Sequence, residues 1–529
     1  GARAIPRRAT VHAALAEFRT GVVEGFDLSA FDRYRWNVGS EDVDPADRTG
    51  RLLSTAGAVL RVDLTGPPRR IDGALQLEVL EAGAANALVA WFDLELDDVE
   101  TLSSGPGGGC PSWGQSLQYL ERAVDVRPGD RVHVSARHDE GGVALALAEP
   151  PVRRRAVTRI EPSVMPWHFP MLADLGRNRA FEQAIARAVR RRGGARVLDV
   201  GTGTGLLAMM AARAGAAWVV GCEATPHLAR LAREVVAANG LADRVSVVDR
   251  WSNELSVPGD LPERANVLVS ETVDHGLLGE GFVPSLLDAR ERLLVPDAIV
   301  IPCGARVRGA VVSIRPPEDL GHDLGPAALL HLHRYASMDL RRCPHRVLSE
   351  IFDVFDLDFR SRAIRPERRR IDARVEEAGA ANAVAYWFEL RLDDETSIDT
   401  SPASTTTAWE QAIAFFDREG AVRPGERLAL RAEHDLRSIR FALDPAPDVR
   451  LPDWVESILD STAGMGWTGV HAEDIDGDGD KDLLAAAYAA SDMTWWANNG
   501  SGSFTKTVLN ANFNVWRLWA ADLDSDGDM

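Results

Sequence analysis

Three observations predict an α/β protein in which a Rossmann-like domain is flanked by two β-rich domains, each a barrel or a sandwich, with an aspartate-rich repeat at the C-terminus. A strand, glycine loop and helix pattern lies near the middle of the 529 residues, and stretches on either side of it repeat at a fixed offset. In the tail, aspartates alternate around glycine. The length allows about three domains.

The central pattern is Val197-Leu-Asp-Val-Gly-Thr-Gly-Thr-Gly205. An apolar run carrying Asp199 enters a turn with glycines at 201, 203 and 205, and the alanine- and methionine-rich segment after it is a good helix former. Glycines let a ligand approach the backbone, and the helix start offers its amides to a polar group. A second apolar run, Trp218–Cys222, ends in Glu223, an acid placed where ribose hydroxyls would be held. A third, Asn266–Ser270, ends in Glu271. Three strands thus deliver their polar ends to one sheet edge, where open α/β sheets bind ligands. The loop has no Walker lysine, which argues against phosphoryl transfer.

The repeat pairs Ala82-Gly-Ala-Ala-Asn86 with Ala378-Gly-Ala-Ala-Asn382, Trp113 with Trp409, Gln115 with Gln411, Arg127-Pro-Gly129 with Arg423-Pro-Gly425, and His138-Asp139 with His434-Asp435. Every pair is 296 positions apart, so the sequence predicts a duplicated domain with no net insertion. Alternating runs such as Ala385–Asp393 make each copy β-rich. The expected division is a first β-barrel at 1–148, a Rossmann-like domain at 149–300, a second barrel at 301–444, a proline-rich linker at 445–452 and an aspartate-rich repeat at 453–529. The first copy lacks a glycine-loop domain, so further chain is expected upstream of Gly1.

Cys110, Cys222, Cys303 and Cys343 are too scattered for a zinc pattern or a disulfide framework. No apolar run is long enough to cross a bilayer, so no membrane partner is expected. The net charge of -20 disfavours nucleic acid and favours a basic partner. Residues 451–529 alone hold 14 acids against 3 bases, so the tail skews that total.

Within the tail, Asp474, Asp476, Asp478, Asp480 and Asp482 surround a glycine turn, and Asp522-Leu-Asp524-Ser-Asp526-Gly-Asp528 follows 48 residues later. Carboxylates so spaced suit a hard cation such as calcium. An EF-hand is excluded, because Ala485 stands where its bidentate glutamate is needed.

With these residues laid out, positions 3–445 resemble the protein arginine methyltransferases, and most closely the members with two fused modules. The resemblance rests on the glycine loop, on Glu223, and above all on Ser270-Glu271-Thr-Val-Asp-His-Gly-Leu-Leu-Gly-Glu280-Gly. In that family this stretch is a hairpin loop with two glutamates nine positions apart, the spacing of Glu271 and Glu280. The implied fold is a class I methyltransferase domain followed by a β-barrel, the implied cofactor is S-adenosylmethionine, and the implied location is the cytoplasm, whereas repeats of the kind the tail resembles usually work outside cells. Tandem members form a pseudo-dimer in which a helical arm of one barrel docks on the partner cofactor domain; the alternative here is a homodimer.

The resemblance implies cofactor contacts from Asp199, Gly201, Thr202, Gly203, Gly205 and Glu223, from Arg177 to the cofactor carboxylate, and from Ser252 and Asn253 to the adenine. It places Met171 in the arginine pocket. Trp409 matches the tryptophan of a barrel loop, where it is either an active-site residue or a core aromatic. Ala408 replaces the histidine of that loop, which in many relatives pairs with an acid aligned to Asp174. The tyrosines that cap the cofactor in many relatives are absent from Glu161–Trp167. His275 reads as a loop histidine facing solvent. Residues 453–529 resemble aspartate-rich repeats of integrin-like β-propellers, with Trp495, Trp496 and Phe504 as packing aromatics; one blade and part of a second cannot close a propeller.

Two carboxylates suit this chemistry. A guanidinium is planar, charged at neutral pH and pairs with carboxylates. Two glutamates can hold its charge on the nitrogens that do not react and present the third to a sulfonium methyl. The expected activity is therefore methyl transfer to arginine side chains of a basic protein substrate. Two alternatives are transfer to a small molecule and a calcium-dependent binding protein with an inert core.

Overall fold

The structure, a computed structural model, describes residues 5–34, 41–43, 50–66, 70–106, 113–139, 142–149, 168–314, 335–404, 409–444, 467–473, 475, 480–487, 492–499 and 504–508. The segment 161–167, Ala408, the linker 445–452, Asp474, Asp476, Asp478 and the second aspartate group at 522–528 lie outside them. The chain divides into two compact units, Gly1–Asp444 and Pro445–Met529. No helix among the described residues is long and apolar enough to cross a membrane.

At the centre of the larger unit is a five-stranded parallel sheet formed by β1 (Arg196–Val200), β2 (Trp218–Glu223), β3 (Val245–Asp249), β4 (Ala265–Ser270) and β5 (Leu294–Ile301), in the order β3-β2-β1-β4-β5. The central strands are buried along nearly their whole length, so they are runs of valine, leucine and alanine rather than alternating sequences. Its helices are α1 (His168–Ala173), α2 (Leu175–Arg192), α3 (Leu206–Arg213), α4 (Pro226–Ala238) and α5 (Phe282–Arg292). The Asp174 carboxylate caps α2 by accepting from the Arg177 amide at 2.9 Å, and three arginines in its last turn complement the helix dipole. Pro226 opens α4, where its missing amide costs nothing.

The first β region holds a seven-stranded sheet and a three-stranded sheet. The long strands Arg8–Phe18, Gly83–Glu95 and Gln115–Val126 form the middle of the larger one, and Ile71–Glu78, Arg131–Asp139 and Gly142–Glu149 form the smaller. In the second β region Gly304–Ser313, Gly379–Arg391 and Gln411–Val422 occupy the same sheet positions, with Glu367–Arg374, Arg427–His434 and Ile439–Leu443 beside them. The offset is not constant between the matched blocks. Leu60 faces Val11 as Phe355 faces Val307, a shift of 295 rather than 296, before the larger value returns at Ile71 and Glu367. A one-residue deletion and a one-residue insertion cancel.

Residues 22–34 leave the first β region and pack on the Rossmann-like domain. Asn239, at the end of α4, accepts from the Asp27 amide and donates to the Asp27 carbonyl, both at 2.8 Å. The Arg213 guanidinium lies 3.9 Å from the Phe26 ring centroid, and Phe31 meets Phe169 edge-on at 5.0 Å. Val23, Phe26, Leu28 and Phe31 belong to the same apolar core as the parallel sheet and the second β region.

The smaller unit contributes a four-stranded antiparallel meander, Trp467–Glu473, Asp482–Ala487, Asp492–Asn498 and Phe504–Val508. Trp496 is buried, with Lys506 5.9 Å from its ring, whereas Trp495 and Phe504 are half-buried.

Candidate active site

The carboxyl ends of four parallel strands bring the expected residues to one edge. β1 runs into Gly201, Gly203 and Gly205, all at positive φ (71°, 53° and 83°), a backbone that side chains disfavour. A Cβ on Gly201 would also stand 2.5 Å from Thr272 Cγ2, whereas the space beside Gly203 is open. Asp199 is buried; its Oδ2 accepts from the Thr202 hydroxyl at 2.6 Å, and its Oδ1 has no hydrogen-bond partner among the described residues. Burial pushes this carboxyl up, to about 7, with Glu223 and Glu271 adding to the effect. At the end of β2, Glu223 accepts from the Gly203 amide at 3.0 Å and from the Thr225 amide at 2.9 Å, and burial raises its pKa. Past β3, Ser252 is buried on a short 3-10 turn and Asn253 is exposed.

Past β4, the loop from Glu271 to Gly281 carries both glutamates into α5. The Glu271 side chain is 9% exposed and pairs with the Arg177 guanidinium. That guanidinium also donates to Asn178 Oδ1 at 2.8 Å and lies 5.4 and 6.0 Å from the ring centroids of Phe181 and Trp409. Arg177 and Glu271, assigned in the sequence to cofactor and substrate respectively, are therefore joined here. Burial raises the Glu271 pKa, and the Arg177 charge opposes this. Glu280 is reached by solvent, and no described residue hydrogen-bonds its carboxylate. The protein packed around it and the like charges of Glu271 and Asp274 push that carboxyl up, to about 8.

The second β region closes on this loop. Trp409 is buried, and its indole donates to the Val273 carbonyl at 2.7 Å, so it is both a core aromatic and a loop contact. His275 is half-buried rather than turned to solvent as expected: its Nδ1 accepts from the Glu410 amide at 2.8 Å, because the β region covers that side of the loop. Met171, on α1, is half-buried one turn before Asp174. Sequence reasoning missed Asn178, which is fully buried and ties Arg177 to the Leu172 carbonyl, and it missed Tyr335, which donates to Asp274. Asp274 stands within the quoted loop and could have been singled out; Tyr335 carries no local signal.

In the tail, Asp482 is fully buried, and its two oxygens accept from the backbone amides of Ile475 and Asn498 at 3.0 and 2.7 Å. This carboxylate braces the meander, and three of the other aspartates expected around a cation, Asp474, Asp476 and Asp478, lie outside the described residues. No group of three or more metal-binding side chains occurs among the described residues.

Residues 7–141 and 335–442 match the family profile of the arginine methyltransferase oligomerization subdomain, residues 182–301 that of the ribosomal protein L11 methyltransferase, and residues 474–529 that of an FG-GAP-like repeat. An arginine N(omega)-methyltransferase of Streptomyces achromogenes subsp. streptozoticus is 39% identical over 272 residues, 50% of this chain and 75% of that protein. Protein arginine N-methyltransferase 9 of Mus musculus is 33% identical over 51% of this chain, and the chain spans only 37% of its length. Among solved structures, Arabidopsis thaliana protein arginine methyltransferase 10 aligns with TM-score 0.42 and 21% identity over 64% of this chain and 95% of its own. The chain belongs to the arginine methyltransferase family.

Proposed function

We propose that this protein transfers methyl groups from S-adenosylmethionine to guanidinium nitrogens of arginine in protein substrates. The observation that carries the reading is the acid loop: two glutamates in electrostatic contact, one largely covered and paired with Arg177, one open to solvent, beside the glycine turn. When bound, S-adenosylmethionine supplies an electrophilic methyl on a sulfonium. The residues fit such a group. Among the described residues Asp199 Oδ1 is a buried acceptor without a donor and the space beside Gly203 is open, and Glu223 keeps a second lone pair on each oxygen for ribose hydroxyls. Thr202, Gly201 and Gly205 shape the turn, Ser252 and Asn253 flank the adenine end, and Met171 lines the arginine pocket.

Glu271 and Glu280 grip the substrate guanidinium from two sides, while Arg177 holds Glu271 in place. The methylated product must shed one proton, and Glu280, with its raised pKa, is the acceptor. A bound cation between the two carboxylates favours their ionised forms, so Glu280 is charged when substrate is present. The two β regions are read as barrels of a duplicated domain bounded at 148, 300 and 444. Docking of residues 22–34 on the Rossmann-like domain supports an intrachain pseudo-dimer. The tail meander is read as one propeller blade.

A second reading keeps the chemistry and changes the carrier of the guanidinium. The Streptomyces relative, with 75% of its length covered, is named for arginine rather than protein arginine. Labelled methyl transfer to an arginine peptide and to free arginine separates the two. Glu280→Gln should abolish transfer to the peptide while cofactor affinity, by calorimetry, stays within about twofold. Transfer that persists in this variant would remove the acid clamp, and with it the proposal.

A further inference from the structure

Three consecutive residues of the acid loop are tied to the second β region. Trp409 holds the Val273 carbonyl and Glu410 holds His275. Between them, Asp274 Oδ2 accepts from the Tyr335 hydroxyl. The other oxygen of Asp274 accepts from the Gly279 amide at 2.8 Å, one residue before Glu280. A single carboxylate therefore links the loop's two arms to a side chain outside the Rossmann-like domain.

The sterics show that this link is built in. A Cβ on Gly276 would stand 2.4 Å from the Tyr335 ring, and one on Gly279 would stand 1.9 Å from Asp274 Oδ2. The Tyr335 ring is itself set edge-on against the fully buried Tyr386, 6.1 Å between centroids. Its hydroxyl thus has little freedom to point elsewhere. A phenol donating to a carboxylate makes a short, charge-assisted bond.

We propose that Asp274 and Tyr335 form a positioning pair that fixes the place of Glu280 from the β region, so that the acid clamp is assembled by two domains rather than one. The inference rests on the reading of Glu271 and Glu280 as the clamp. One oxygen of Asp274 holds the Gly279 amide and the other the Tyr335 hydroxyl, so the role assigned to it is to brace the loop. Its charge has a second effect, since Asp274 and Glu271 are the acids that raise Glu280. The other polar groups about the loop are Arg177 on Glu271, Tyr335 on Asp274, and His275 against the Glu410 amide.

The test uses the full chain, S-adenosylmethionine and an arginine peptide. Tyr335→Phe keeps the ring and removes one hydroxyl; kcat/KM should fall about tenfold with cofactor affinity unchanged. Asp274→Asn should move the acidic limb of the pH profile to lower pH, because a negative charge near Glu280 is gone. The double variant should be no slower than Asp274→Asn alone. A wild-type rate and profile for Tyr335→Phe, multiplicative losses in the double variant, or a parallel fall in cofactor affinity would each overturn the pair. Glu280→Gln keeps the two questions apart. If it is inactive while Tyr335→Phe is wild-type, only the pair fails; if it is active, the clamp fails first.

Discussion

Trp113 and Trp409 stand 296 positions apart, each just before a long strand of its own β region. Trp113 is 41% exposed and rests on Phe92 at 5.4 Å, whereas Trp409 is 5% exposed, meets Phe388 at 6.0 Å and donates to the acid loop. Other matched residues behave alike in both regions. Asn86 bridges the amide and carbonyl of Phe18, and Asn382 those of Ile314. Gln115 donates to the Ser104 carbonyl and Gln411 to the Thr400 carbonyl. Gly129 and Gly425 turn the chain at φ 87° and 90°. Residues that brace their own sheet do the same work in each region. A residue whose partner lies in another domain does not, and the site is built from the second kind.

This difference can be broken by experiment. Trp409→Ala should cost about 3–5 kcal/mol in urea unfolding, as for a buried tryptophan, and should lower methyl transfer at least about tenfold. Trp113→Ala should cost under about 1 kcal/mol and leave transfer intact. Equal effects would show that the two regions are equivalent after all.

The acids beside the second region give it a pH dependence of its own. Transfer, read as kcat/KM, should rise with pH toward about 8 as Glu280 ionises in the free enzyme, and a flat profile would deny Glu280 that role. Asp199 adds an effect on stability. Its folded pKa, about 7, lies above its unfolded one, so the stability it contributes is present below about pH 4 and lost as pH rises to about 7. Thermal melts of the cofactor-free protein should show this fall, and Asp199→Asn should flatten it.

Smaller effects should be shared by both regions. Asn86→Ala and Asn382→Ala each remove two backbone hydrogen bonds and should cost about 1–3 kcal/mol apiece. Gly129→Ala and Gly425→Ala meet no atom within 4 Å, so only backbone strain of about 1–2 kcal/mol should appear. A large imbalance within either pair, measured by urea unfolding, would sharpen the distinction between the regions beyond the tryptophans.

Much of the parallel sheet was legible because its signals are local. Apolar strands buried on both faces ending in Asp199, Glu223 or Glu271, and glycines forced to positive φ, are set by residues close in sequence. The pairing of Arg177 with Glu271 was not legible, since 94 positions separate them and each had a separate assignment. His275 was misjudged for the same reason: the amide that holds it belongs to Glu410, 135 positions away.

The sequence by itself determined the parallel sheet's polar edge, the loop that carries two glutamates, and the correspondence between its two β regions. Backbone preference and burial pattern act over a few residues, and a repeated pattern is visible without a fold. Only the tertiary structure decided which β region closes on the acid loop, which arginine neutralises Glu271, and that Tyr335 reaches Asp274. Those contacts depend on how separate elements pack. Burial then turns ordinary carboxylates into ones with raised pKa, which the residue type alone cannot show.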